Sequence, residues 1–237
     1  MKGLVINQAR MTSSRLPGKV LKCVLDKPLL QYQIERLLRA RCVSNIVIAT
    51  TTNKEDDPIV SLCDSLGIST YRGDEHNVLG RYFETAKFYQ AETVVRITSD
   101  CPLIDPAIVD ETIEYYLKNS DECDYVSNGL CRTYPIGMDV EVFSYKVLED
   151  AFNKVSDVYD HEHVTSYIYS HPEIYKIANV AYKANVGYIR LTLDTKEDYE
   201  LIKNIITELY PGNMEFNLKD ILDLLNQHPE WIREKSI

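Results

Sequence analysis

The sequence predicts an α/β chain built on a mixed, mostly parallel sheet with helices on both faces. Two observations carry this. Short apolar runs alternate with segments of helical periodicity through the first 120 residues or so, the rhythm of consecutive β-α units. The runs also lack a polar partner face, as strands buried on both sides do. After about residue 124 the alternation gives way to shorter strands in mixed order, so the sheet is expected to end in a mixed half.

The elements follow in order. "GLVI" near the N-terminus is a buried strand. "PLLQYQIERLLRAR" places Leu29, Leu30, Ile34, Leu37 and Leu38 at helical spacing. "NIVIATTT" is a β-branched strand, and "DDPIVSLCDSLG" a helix with Pro58 near its start and Gly67 at its end, where each is tolerated. "ISTYRG" is a strand, "NVLGRYFETAKFYQA" a helix, "TVVRITSD" a strand, and "AIVDETIEYYLKNS" the helix after "CPLIDP". "DYVSNG", "DVEVFS", "YKIANVAY" and "IRLTL" read as strands, with helices around 145–155 and 160–170. "DTKEDYELIKNIITELY" opens the next helix, and after the break "PGN" comes an amphipathic "LKDILDLLNQ". No repeat or linker interrupts the chain. One domain over 1–237 is expected, with a first half to about 123, a second over about 124–210 and a terminal helix over about 211–237. That helix either packs on its own domain or supports a homodimer.

The 237 residues carry 26 Lys+Arg against 36 Asp+Glu, a formal net charge of −10. An acidic total excludes a general nucleic-acid or anionic-membrane binder, which needs a broad basic surface. No run approaches the ~18 apolar residues of a membrane span. The opening residues turn polar too soon for a secretory signal. Six scattered cysteines without a CxxC pair read as reduced thiols, so a cytoplasmic protein is expected.

Against that acidity, "ARMTSSRLPGKV" after the first strand is a local concentration of cations and hydroxyls. Arginine forks match phosphate oxygens bidentately, lysine adds a point charge, and small residues let backbone amides approach. Neither GxxxxGK[ST] nor GxGxxG is present. The loop is read as a phosphate cradle, at the strand ends where open α/β sheets bind ligands. In "RITSDCPLIDP", Asp100 directly follows a strand and is read as a ligand for a hard cation such as Mg²⁺, which needs few carboxylates. Asp105 before Pro106 is read as a helix cap. Asp194 in "LTLDTKEDYE" is either a second metal ligand or a cap; Asp198, one turn on, is read as solvated. Asp139 and Glu141 in "YPIGMDVEVFS" alternate on one strand face, for a metal, sugar hydroxyls or solvent. His161 and His163, two apart, lack the i, i+4 spacing of a helical zinc site. They suit a helix start or an acceptor pocket.

These motifs together resemble a known family. "ARMTSSRLPGKVL" is similar to the ARxxSxRLPGKxL signature of the sugar-acid cytidylyltransferases, the CMP-KDO synthetases and their relatives. "RITSDCPLIDP" and "LTLDTKEDYEL" resemble two later signatures. "YPIGMDVEVFS" and "HEHVTSYIYSHPE" resemble "YPDGLDVEVFS" and "REHVTPYIRRHPE" of the spore coat polysaccharide biosynthesis cytidylyltransferase-like branch. Two positions depart from the pattern: Ser99 stands where a glycine is usual, and Ile136 where that branch carries Asp.

The resemblance covers nearly the whole chain and implies a GT-A-like nucleotide-diphosphosugar transferase fold. It implies that Arg10, Ser13, Arg15 and Lys19 grip the phosphates of CTP, with Arg15, Lys19 and Asp100 catalytic. Asp100 and Asp194 would hold Mg²⁺. The surroundings of Gln8 and Ala9, with Arg72, Gly73 and Thr98, would form the base and ribose pocket, and Asp139 and Glu141 would face the acceptor. The implied reaction is attack by an oxygen of a sugar acid or sugar phosphate on the α-phosphorus of CTP, releasing pyrophosphate, in surface polysaccharide biosynthesis. Two alternatives stay open: a GT-A glycosyltransferase using a nucleotide sugar, which usually carries a DxD motif, and a non-catalytic nucleotide-binding protein.

Overall fold

A computed structural model describes residues 2–232. The first half alternates as the sequence predicts. Strand β1 (Gly3–Gln8) leads into the basic loop and a two-stranded hairpin, β2 (Cys23–Val24) and β3 (Lys27–Pro28). Helix α1 (Leu29–Leu37), β4 (Val43–Thr51), α2 (Asp57–Ser65), β5 (Ser69–Gly73), α3 (Val78–Phe88), β6 (Thr93–Thr98) and α4 (Pro106–Lys118) follow. The second half holds β7 (Tyr125–Ser127), β8 (Glu141–Ser144), α5 (Tyr145–Lys154), α6 (Val158–His163), α7 (Ser166–Ser170), β9 (Ile177–Asn179), α8 (Lys196–Leu209) and α9 (Leu218–Gln227).

Seven strands form one sheet in the order β5-β4-β1-β6-β8-β7-β9. β1, β4, β5 and β6 run parallel; β8 is antiparallel to β6 and β7, and β9 parallel to β7. Helices α1, α2, α4, α8 and α9 cover one face through Leu30, Ile59, Val109, Ile205 and Ile221. Helices α3, α5 and α7 cover the other through Leu79, Tyr82, Leu148 and Ile168. The central strands are buried on both sides, hence their unbroken apolar runs. The carboxyl ends of β1 and β6 meet at one edge, between helices from opposite faces.

Three expectations change. "IRLTL" is not a strand: residues 189–193 make one isolated bridge, between Ile136 and Arg190. Ile189, Leu191 and Leu193 are buried on alternate positions, so the period of two is real, but it meets partners only at separate points. Gly137 (φ +101°) permits this crossing, since a Cβ there would lie 2.6 Å from the Leu191 carbonyl carbon. The 160–170 helix is two short ones, broken at Val164, whose φ is +59°. The hairpin was not anticipated, because its two-residue turn uses Leu25 and Asp26 at positive φ where Asn-Gly is the usual signal. Helix α9 packs on its own domain through Leu218, Ile221, Leu224 and Leu225.

Candidate active site

The loop after β1 is shaped by its apolar residues and presents its polar ones. Leu16 and Val20 are buried, and the Met11 amide donates to Asp56 Oδ1 at 2.7 Å. Gly18 (φ +67°) turns the chain back so that its amide reaches the Met11 carbonyl at 2.9 Å. So anchored, the loop lays Ala9, Arg10, Ser13, Arg15 and Lys19 along a cleft of about 350 Å³ over the ends of β1 and β6. Gln8, Thr98, Asp100 and Asp194 line the same cleft.

Asp194 comes from far along the chain, and backbone bonds bring it in. The Leu193 amide donates to the Asp100 carbonyl at 2.7 Å, and Thr192 Oγ1 to the same oxygen at 3.2 Å. Lys19 Nζ then lies 2.9 Å from Asp194 Oδ1 and 3.6 Å from Asp100 Oδ2, and donates to the Leu193 carbonyl at 2.8 Å. Arg15 Nη2 is 3.0 Å from Asp194 Oδ1, and Arg190 Nη2 is 2.6 Å from Oδ2. Thr98 Oγ1 donates to Asp100 Oδ1 at 2.6 Å. Burial pushes the Asp194 carboxyl up, but Lys19, Arg190 and Arg15 together outweigh it and hold the group below the usual carboxylate range. The neighbouring Cys101 thiol is pushed well up by burial and by the Asp100 and Asp139 charges, so it stays protonated.

Asp194 is not the cap of α8. Thr195 and Asp198 form a capping box, with Asp198 Oδ2 accepting from the Asp194 and Thr195 amides at 2.9 Å each. Asp198 is buried and also faces Arg190, which corrects its reading as a solvated residue. Asp105 caps α4 through the Ala107 amide (2.9 Å), and its other oxygen accepts from the Leu218 amide (2.7 Å), tying α9 to the turn after β6.

Four expected site residues lie outside the cleft lining. Arg72 donates to the Thr51 and Asn53 carbonyls and to Asp57, at 2.7 Å each, clamping β5 to the loop after β4. Gly73 sits beneath the stem of Arg81, where a Cβ would come within 3.2 Å of Cγ. Asp139 accepts from Arg132 (2.6 Å) and the Gly137 amide (2.9 Å). Glu141 is held by Arg96 and Thr165. The cleft in turn holds residues the sequence reading passed over, Val78 and Arg81 of α3, Arg96 of β6 and Glu162 of α6, together with His163, which was read as suiting a helix start or an acceptor pocket. Arg96 did leave a signal, as the one charge in "TVVRIT". Arg81 left none, since an arginine in a helix reads as surface.

The model of the family described as cytidylyltransferase matches residues 4–226. The chain belongs to the cytidylyltransferase family. It is 38% identical to an uncharacterized protein of Methanocaldococcus jannaschii, covering all of this chain and 98% of that one. It is 32% identical to the spore coat polysaccharide biosynthesis protein SpsF of Bacillus subtilis, covering 98% of each. A cytidylyltransferase structure from Leptospira borgpetersenii superposes with a TM-score of 0.94 at 32% identity, over the whole of this chain and 99% of that one. This cytidylyltransferase is thus a nucleotidyltransferase with the nucleotidyltransferase fold. No helix among the described residues is long and apolar enough to cross a membrane.

Proposed function

We propose that the enzyme transfers CMP from CTP to a sugar acid or a sugar phosphate, with Mg²⁺, releasing pyrophosphate, and that it serves surface polysaccharide synthesis. One observation supports this above the rest: Lys19 meets both Asp100 and Asp194 at the cleft, with Arg15 beside them. Transfer at a phosphorus builds negative charge on non-bridging oxygens and on the departing pyrophosphate. Fixed cations held before the substrate arrives are what such a step needs.

In this reading Arg10, Ser13, Arg15 and Lys19 hold the triphosphate. Gln8, Ala9 and Thr98 face the nucleoside. Arg10 is kept in place by Glu75 (3.7 Å) and Glu162 (3.3 Å), which tie the basic loop to the segment before α3 and to α6. Two carboxylates converging on one ammonium are hard oxygen donors in the number Mg²⁺ takes from a protein when phosphate and water complete its shell. Asp100 and Asp194 would hold the ion, which supplies charge neutralisation on the phosphates. Among the described residues no group of three or more His, Cys, Asp or Glu is arranged to cage a metal by itself, which agrees with an ion shared with substrate.

The name of SpsF favours a role in polysaccharide synthesis, and the 37% identity to a 3-deoxy-manno-octulosonate cytidylyltransferase of Geobacter sulfurreducens, over 47% of this chain and 44% of that one, favours a sugar acid as acceptor. The test is pyrophosphate release from CTP and Mg²⁺ across a panel of sugar acids and sugar phosphates, with UTP, ATP and GTP as competitors. Release with CTP and one acceptor class is expected. Release with none of the panel, or equally with every nucleotide, would overturn the reading.

A further inference from the structure

Five cations line the cleft, and four have a carboxylate within ion-pair distance. Arg10 has Glu75 and Glu162, Arg15 has Asp194, Lys19 has Asp100 and Asp194, and Arg96 has Glu141. Arg81 has none at that distance among the described residues, Asp56 and Glu162 acting on it only from farther off, although it is only 3% exposed. Its Nη1 donates to the Asp74 carbonyl at 2.7 Å, its stem lies over Gly73, and its Nε is buried without a partner. Burial pulls this guanidinium below its ordinary value. A buried cation left without an acid is an unfavourable arrangement unless an anion joins it in the working state.

Arg81 and Arg96 stand on the wall formed by α3 and β6, whereas Asp194 precedes α8, which packs on the opposite face of the sheet. Arg96 Nη1 is held by Glu141, and its guanidinium lies over the Tyr82 ring at 5.8 Å. Both arginines line the cleft, and among the described residues neither Arg81 Nη2 nor Arg96 Nη2 donates a hydrogen bond. Guanidinium edges with no acceptor suit an oxyanion.

We propose that Arg81 and Arg96, which both line the cleft from its α3 and β6 side, form a second anion pole that receives the acid group of the acceptor, a carboxylate or a phosphate monoester, in addition to the cations that hold the triphosphate. This rests on the transfer proposed above and adds which residues select a charged acceptor over a neutral sugar. It also gives Glu141 a place: it braces Arg96 rather than touching the acceptor.

The test uses inorganic phosphate as probe, titrated calorimetrically into enzyme saturated with a CTP analogue whose α,β-bridging oxygen is a methylene. Wild type should bind phosphate, and Arg81→Gln should bind it at least about tenfold more weakly while its affinity for the analogue changes less than about threefold. Arg81 has no acid partner, so this substitution leaves no carboxylate unpaired; Arg81→Lys should restore part of the binding. Gluconate and glucose 1-phosphate, titrated in the same way, separate the carboxylate from the phosphate source. The proposal falls if phosphate does not bind the saturated enzyme, if Arg81→Gln leaves phosphate binding unchanged, or if it weakens the analogue as much as the phosphate. Loss of phosphate binding in Arg81→Gln together with no pyrophosphate release by the wild type for any acceptor would keep the anion pole and overturn the transfer.

Discussion

Replacing Asp100 by asparagine separates the chemistry of the site from its architecture. The substitution keeps the shape of the side chain, and the bond accepted from Thr98 Oγ1 at 2.6 Å survives through the remaining carbonyl oxygen. The bonds that fasten residues 192–193 to this turn use the Asp100 backbone carbonyl and are untouched. What disappears is a negative charge 3.6 Å from Lys19 Nζ. Two unit charges at about 4 Å attract by about 4 kcal/mol gross at an effective dielectric of 20. Little of that reaches stability, because Lys19 keeps Asp194 at 2.9 Å and the Asp100 side chain is itself 28% exposed. A loss below about 1 kcal/mol follows, a fall in Tm of no more than about 2–4 °C for a chain of this size. Turnover should fall by about 10²–10³, the usual effect of removing one preorganised charge contact, equivalent to about 2.7–4 kcal/mol. The assay is Mg²⁺-dependent pyrophosphate release beside a thermal melt. Undiminished release removes Asp100 from the mechanism, and a Tm drop of about 10 °C running parallel with activity would mean that its role is structural.

Asp194→Asn should behave differently: it removes an acid shared by Lys19, Arg15 and Arg190, leaving, among the described residues, Lys19 only Asp100, Arg190 only Asp198 and Arg15 none, so stability should fall by about 1–3 kcal/mol as well as activity, read as a Tm loss of about 3–10 °C. The Asp194 carboxyl titrates below its ordinary 3.8 in the folded protein, so its contribution is complete above that value and disappears as pH falls through the folded one; the Tm gap between wild type and variant should close in melts below about pH 4. Asp105→Ala removes a helix cap and leaves the Leu218 amide unsatisfied, for about 2–4 kcal/mol by denaturant titration, with pyrophosphate release per folded molecule unchanged. Gly137→Ala forces a Cβ to within 2.6 Å of the Leu191 backbone at φ +101°; a Tm loss of several degrees should accompany reduced turnover, because Leu191 lies three residues before Asp194.

The parallel half of the fold was legible because its strands are buried on both faces, and such strands announce themselves as unbroken apolar runs between helices. Legibility failed where burial and hydrogen bonding part company. Residues 189–193 bury every second side chain as a strand does, yet pair through isolated bonds to residues 100 and 136, and no local pattern distinguishes a ladder from a few separate contacts. The convergence of Asp100 and Asp194 was beyond local reading for a related reason. The bond between the Leu193 amide and the Asp100 carbonyl creates it, and backbone bonds between distant segments have no side-chain signature.

Asp100 and Glu141 show what a sequence conceals about an acid even when it locates one. Glu141 opens β8 and Asp100 lies in the turn two residues past the end of β6, and both attract attention as charges against an apolar run. Glu141 has both oxygens engaged, one by Arg96 and one by Thr165, on a side chain that is 15% exposed. Asp100 has one oxygen held by Thr98 and the other directed toward Lys19 in the cleft. The difference between a brace and a ligand is therefore how many of an acid's acceptor positions the folded chain already fills. That number depends on Arg96 and Thr165 arriving from elsewhere, 45 and 24 residues away. The same accounting applied to cations marks out Arg81: its backbone partner is local, but its lack of an acid within ion-pair distance among the described residues is a property of everything around it.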